Sequence, residues 1–412
     1  MKKWMVVGLV GGMAFVTDLI RIAMPIVAPT LMELYDISPQ TMGFILSGWN
    51  WAYTGSLLFI GPIVDRFGPW LIVGIGAGVW GMGTLALPLA STVPMFFVMR
   101  ALFGLGHSMR IPAQAACISR WMGPDQRATA VGLCFFGGQV GLAIGPALAA
   151  VLISGLGWEW VFYAFGGLSL LFSLIWFFLY PREGAQDPVA PILAEQESDE
   201  VKIPWSALFG YRSTWGIALG QMGYLYAYYF FMKWFPGYLT IELDMNLQNT
   251  AIFTGLLFGM GMIGVVAGGW LGDYLIRRGV SRTASRKGMI ATGLTMATLL
   301  VVSAAFITQA WLTVTLLTLS MGFLRMTTAS ANSVSIDLAP PGAVASLASI
   351  QNFAGNISGL LAPIVTGFIV GTTGSFFFAL LVAGGMAMLG ACSYLFIVGP
   401  LETLPAPSPD YL

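Results

Sequence analysis

The stretch Gly269-Trp270-Leu271-Gly272-Asp273-Tyr274-Leu275-Ile276-Arg277-Arg278-Gly279 decides the fold, because it has a weaker twin at Gly61-Pro62-Ile63-Val64-Asp65-Arg66-Phe67-Gly68. The two carboxylates stand 273 − 65 = 208 residues apart, about half of the 412-residue chain. Each follows an apolar run and opens a short arginine-bearing turn. An acid at a helix end beside arginines can latch neighbouring helices, and breaking that latch lets two halves rock.

Outward from these turns the chain is apolar almost throughout. It is 57% hydrophobic and 9% charged, whereas roughly 25% of residues are charged in a soluble chain. Apolar segments lie near 4–30, 41–64, 70–90, 94–119, 128–154 and 160–180, then near 213–239, 249–272, 288–307, 311–336, 344–371 and 374–398. About 20 such residues cross a bilayer. The expected fold is an all-α membrane protein of twelve transmembrane helices in two pseudo-symmetric six-helix bundles, residues 1–180 and 213–400. A polar linker spans 181–212 and a tail 401–412. Met1-Lys2-Lys3 and the run behind it imitate a signal peptide, but that run extends to about Thr30 and reads as the first span.

With both termini cytoplasmic, the inner loops hold Lys2, Lys3, Arg66, Arg120, Arg127, Arg182, Lys202, Arg212, Arg277, Arg278, Arg282, Arg286 and Lys287, which is 13 of the 18 basic residues. The outer loops hold none, and carry Glu33, Asp36, Glu159, Glu242 and Asp244. This partition satisfies the positive-inside rule and points to the cytoplasmic (inner) membrane.

A soluble enzyme is excluded, and no catalytic residue, cofactor or metal is expected. A formal charge of zero argues against nucleic acid, which demands a basic footprint. Cys117, Cys134 and Cys392 sit in apolar runs without disulfide or metal spacing. Gly259-Met260-Gly261-Met262-Ile263-Gly264 satisfies a dinucleotide pattern, yet it lies inside a span with no preceding strand and reads as helix packing. Gly137, Gly141 and Gly145 form a small-residue ridge of the same kind.

Chemistry resides in the charges within spans: Arg21, Arg100, Arg110, Lys233 and Arg325 against Asp18, an excess of 5 − 1 = 4 positive charges. A base at mid-bilayer costs about 2.5–3.5 kcal/mol on insertion scales, so each must face protein or water. Such an interior suits an anion and repels cationic drugs. Asp18 and Arg21, three apart, are placed to pair. Arg100, His107 and Gln114 recur at seven, with Arg110 between the last two, which draws a polar stripe along one helix face. Arg325 precedes Pro340 by fifteen residues and Arg110 precedes Pro124 by fourteen, so the halves carry equivalent guanidiniums suited to clamp an acidic group. Lys233 either joins this interior or snorkels to the outer surface. Asn50, Tyr53, Gln139, Gln221, Tyr224, Tyr228, Asn332, Asn352 and Asn356 are uncharged polar candidates for substrate hydroxyls or for one another.

The paired turns resemble the signature loop of the major facilitator superfamily, although Pro69-Trp70 stand where the family usually places basic residues. Within it the chain resembles the anion:cation symporters, which include sugar-acid permeases, sialin and vesicular glutamate carriers. The likeness rests on Arg21–Pro29 (RIAMPIVAP), Arg100–Pro112 (RALFGLGHSMRIP), Tyr229–Leu239 (YFFMKWFPGYL), Gly268–Lys287 (GGWLGDYLIRRGVSRTASRK) and Pro340–Gly367, ending QNFAGNISGLLAPIVTG.

The resemblance implies the major facilitator fold and a monomeric secondary transporter in the lipid bilayer. It would move a small organic anion, a carboxylate or sugar acid, by alternating access with protons as coupling ion. The nearest alternative is an exporter or exchanger of the same fold. A drug/proton antiporter requires more buried acids than Asp18, and a transporter-like sensor requires more output region than the short proline-rich stretch after Glu402. Substrate contact is expected at Arg21, Arg110, Arg325, Gln139, Tyr53, Tyr228 and Asn352. Arg100, Gln114, Asn50, Lys233, Asn332 and Asn356 are further cavity candidates, and Asp65, Arg66, Asp273 and Arg277 are expected to gate the motion. The family places Asp directly before the first-helix Arg, where this chain has Ile20 and its nearest acid is Asp18. It places its coupling Glu where this chain has His107. An imidazole, with a reference pKa of about 6.5, changes charge near neutral pH. Coupling is therefore expected at His107, with Asp18 as the other candidate.

Overall fold

The structure is a computed structural model describing residues 2–123, 126–181, 205–340 and 343–404. Residues 182–204 of the linker and 405–412 of the tail lie outside the described residues, as does the side chain of Asp65. Every regular element among the described residues is helical. In chain order these are α1 (Lys2–Leu34), α2 (Pro39–Leu85), α3 (Val93–His107), α4 (Arg110–Trp121), α5 (Arg127–Leu156), α6 (Glu159–Leu179) and the single turn α7 (Trp205–Leu208). There follow α8 (Arg212–Ile241), α9 (Leu247–Arg277), α10 (Arg282–Ala305), α11 (Ala310–Met326), α12 (Thr328–Leu338), α13 (Val344–Thr373) and α14 (Phe377–Cys392). Among the described residues, nine helical stretches are long and apolar enough to cross a membrane.

Three breaks have identifiable causes. The 47-residue α2 is two helices meeting at Gly68, whose φ of 74° suits a residue without Cβ. The fourth apolar segment divides into α3 and α4 around Ser108 and Met109. Pro112 supplies the reason, since it lacks the N–H that would bond to the Ser108 carbonyl four residues back. The tenth apolar segment divides into α11 and α12 at Thr327. There no proline intervenes, but the hydroxyls of Thr327 and Thr328 donate to the carbonyls of Leu324 and Arg325, and such back-bonding bends helices.

The repeat inferred from Asp65 and Asp273 reappears in backbone geometry. Asp36 and Asp244, 244 − 36 = 208 residues apart, are the described non-glycine residues with positive φ, at 50° each. Two residues on, Ser38 Oγ accepts from the Thr41 N–H at 3.3 Å and Asn246 Oδ1 from the Asn249 N–H at 2.9 Å. The turn that ends α1 and caps α2 is thus rebuilt between α8 and α9.

The chain forms two compact units, Met1–Val189 with Met232–Leu256, and Ala190–Phe231 with Leu257–Leu412. Lys233 therefore belongs with the first unit although its sequence neighbours to Phe231 belong with the second. In the first unit the glycine ridge of α5 lies on α1: a Cβ at Gly137 would meet the Gly11 carbonyl, and one at Gly141 the Phe15 carbonyl. In the second, Gly264 meets the Gly322 carbonyl and Gly268 that of Met326, so the dinucleotide-like run is a packing ridge between α9 and α11. Close backbone approach of this kind replaces the hydrophobic drive that lipid cannot provide. Outside, Phe178, Trp311 and Phe396 stand more than two-thirds exposed, as side chains facing lipid do.

Candidate functional site

Asp18 anchors the site in the first unit. It sits on α1, which carries Arg21 one turn further, and both point away from solvent. Asp18 Oδ1 lies 3.6 Å from Arg21 Nη1, while Oδ2 lies 3.2 Å from Arg110 Nη1 on α4. One buried carboxylate is thus shared by two guanidiniums from different helices, with the shorter contact between helices. The break before Arg110 makes it the first residue of α4 and turns its side chain toward α1. On α5, Gly138 leaves the room: a Cβ there would overlap Asp18 Oδ2 and stand 3.0 Å from Arg110 Nη2. Gly138→Ala should therefore overpack the pair and destabilise the protein by about 1–3 kcal/mol, read as a lower Tm in detergent. An unchanged Tm would show that the pair relocates without strain.

Trp49 on α2 is the second organiser. Arg21 Cζ lies 4.4 Å from its ring centroid and Lys233 Nζ 4.7 Å, two cation–π contacts on one indole. Lys233 does not snorkel: it is 1% exposed and donates to the Leu46 carbonyl at 3.0 Å. The indole N–H donates to His107 Nδ1 at 3.0 Å. That nitrogen accepts, so the imidazole is the neutral tautomer with its proton on Nε2. The ring lies parallel to Phe103 and stacks with Tyr53, at centroid distances of 5.7 and 5.1 Å. His107 thus stands in an aromatic cluster. Among the described residues of the first unit, buried side-chain atoms without hydrogen-bond partners include both amide atoms of Asn50, Thr54 Oγ1, Nε and Nη2 of Arg100, Arg110 Nε, His107 Nε2 and Gln114 Oε1. Gln139, beside Gly138, is partly buried.

The second unit holds a separate polar network. Arg325 Nη1 donates to the Tyr224 hydroxyl at 2.8 Å, and its guanidinium lies 4.9 Å from the Tyr228 ring centroid. Tyr224 in turn bonds Thr328 at 2.9 Å. Tyr229 donates to Asn356, whose amide donates to Asn352 at 2.7 Å. Gln351 joins Tyr394 and the Ala331 carbonyl, with Gln221 at 3.4 Å. Asn332 and Asn352 are exposed.

Of the gating candidates, Arg66, Asp273 and Arg277 are exposed. Arg66 lies over the Phe67 ring at 5.4 Å, and among the described residues Asp273 forms no ion pair. Arg286 of α10 pairs instead with Asp337 of α12 at 3.1 Å. A cavity of about 330 Å³ bordered by Gly68, Trp70, Arg120 and Tyr180 shares no residue with the Asp18 cluster. Among the described residues no group of His, Cys, Asp and Glu is arranged to hold a metal.

Sequence spacing nominated Asp18, Arg21, His107 and Arg110, which the fold brings together. It did not nominate Trp49, Thr54 or Gly138. Trp49 is one of 14 tryptophans and carries no periodic signal, and Gly138 was hidden beside the packing glycine Gly137.

The D-galactonate transporter of Escherichia coli O6:H1 (strain CFT073) is 29% identical over 415 residues, covering 95% of this chain and 95% of that protein. The hexuronate transporter of Bacillus subtilis (strain 168) is 29% identical over 390 residues, covering 94% and 92%. The crystal structure of a D-xylose–proton symporter superposes with a TM-score of 0.75 at 15% identity, covering 98% of this chain and 99% of that one, and so shares the fold. Residues 9–363 match the profile of the Major Facilitator Superfamily, and the chain belongs to that family of transporters.

Proposed function

We propose that this protein is a secondary active transporter of a small organic anion, a carboxylate or sugar acid, with protons as the coupling ion. The observation that carries the reading is the buried Asp18 shared by Arg21 and Arg110, beside the buried Lys233 and Arg100, which pair with no acid among the described residues. A substrate carboxylate competes with Asp18 for the two guanidiniums, binding them by charge-assisted hydrogen bonds. Asp18, losing its partners in a dry site, takes a proton, so proton and anion occupy the site together. Of the two titratable groups nominated by sequence, geometry favours Asp18: protonating His107 at Nδ1 would set two donors against each other, because the Trp49 N–H already points there. The galactonate and hexuronate transporters among the relatives favour a sugar acid. Tyr53 and Gln139 of the same unit would then meet its hydroxyls. Counterflow of labelled sugar acids, aromatic carboxylates and dicarboxylates into proteoliposomes tests the reading. Saturable exchange of at least one anion, with none of an organic cation, is expected; exchange of the cation alone would overturn it.

The proposed topology is twelve crossings of the inner membrane with both termini cytoplasmic. Cysteines placed at Glu33 and Glu242 should then react with an impermeant thiol reagent from outside. Reaction of both only after permeabilisation would reverse the orientation. The turns at Asp65-Arg66 and Asp273-Arg277 would govern rocking between access states without touching substrate. Asp273→Asn should therefore slow transport about tenfold or more while leaving Kd within a few fold. Equal losses of binding and transport would contradict that role.

A further inference from the structure

Lys233 and Arg100 are both buried, and among the described residues neither pairs with an acid. One turn of α2 meets the helices that carry them: the Leu46 carbonyl accepts from Lys233 at 3.0 Å, Gly48 packs against the Cβ of Arg100, and Trp49 lies under Arg21. Arg100 is 2% exposed, and its Nε and Nη2 have no hydrogen-bond partner. Asp18 is already divided between Arg21 and Arg110, and among the described residues no carboxylate pairs with Lys233 or Arg100. One substrate carboxylate at Arg21 and Arg110 therefore leaves two buried cations uncompensated, the arrangement in which a further anion is worth most. Asn50, with both amide atoms unpartnered on the same turn, adds donor and acceptor capacity beside them.

We propose that Lys233 and Arg100 form a second anion subsite, and that the substrate is a dianion carrying a second acidic group. This rests on the reading that the Arg21–Arg110 pair takes a carboxylate. Arg21 Cζ and Lys233 Nζ both lie within 5 Å of the Trp49 ring centroid, so an acid at each end of a chain of roughly four to six carbons reaches both cations. The structure thereby assigns specificity to Lys233, a residue whose sequence position lies among the second unit's segments and whose side chain completes the first unit's site.

The test compares matched pairs differing by one terminal acid, D-gluconate with D-glucarate and butyrate with succinate, as inhibitors of counterflow and in direct binding. The full-length protein is expected to bind the diacid of at least one pair tenfold or more tighter than its monoacid. Lys233→Met should remove that preference, losing at least tenfold more affinity for the diacid than for the monoacid at an unchanged Tm, and Lys233→Arg should retain the preference. Monoacids bound as tightly as diacids, or equal losses for both in Lys233→Met, would overturn the second subsite and leave the carboxylate reading standing. Binding of no anion of either kind would overturn both.

Discussion

Arg110→Ala should lose about two to three orders of magnitude in anion affinity. Removing one partner of a buried, hydrogen-bonded charge pair costs about 3–5 kcal/mol, and every 1.4 kcal/mol is tenfold in Kd. Arg110 is 6% exposed and joins α4 to Asp18 of α1 at 3.2 Å, so its loss removes both the substrate's cation and the contact between helices. Arg110→Lys should recover little, because an ammonium cannot reproduce a planar fork. Isothermal titration with the anion that counterflow identifies reads both variants. Wild-type Kd in Arg110→Ala would remove this residue from the site.

Asp18→Asn should abolish accumulation driven by a pH gradient while preserving counterflow exchange. On the proposed mechanism, Asp18 would give up Arg21 and Arg110 to the substrate and bind a proton. Affinity should therefore weaken as pH rises, because binding of the anion would take up a proton. An asparagine neither competes for the guanidiniums nor takes up a proton. Binding in Asp18→Asn should accordingly be at least as tight as in the wild type and nearly independent of pH. His107→Gln keeps an acceptor for the Trp49 N–H and should retain pH-driven accumulation. The reverse pattern, with coupling lost in His107→Gln and kept in Asp18→Asn, would transfer the proton to the histidine.

The fold was legible because membrane crossing imposes length and polarity on each segment, and because the 208-residue offset between Asp65 and Asp273 recurs between Asp36 and Asp244. The spacing of Arg100 and His107 was legible because both lie on α3, whereas the break that makes Arg110 the first residue of a separate helix, α4, was not. Nor were contacts between helices. Spacing along α1 pairs Asp18 with Arg21, and nothing in the linear order shows that Arg110, 92 residues away, makes the closer contact. Lys233 read equally well as a surface lysine, because its burial depends on α8 ending against α2 in the first unit. Trp49 shared its composition with every lipid-facing tryptophan, and only the fold shows Arg21, Lys233 and His107 converging on it.

The central claim, that this chain concentrates an organic anion by binding it together with a proton, is tested most directly by uptake into proteoliposomes at an imposed pH gradient. With an acidic exterior and no anion gradient, the labelled anion should accumulate inside above its external concentration. The accumulation should collapse on adding a protonophore. Entry that stops at the external concentration whatever the pH gradient would contradict proton coupling, and no entry of any anion would contradict the account as a whole.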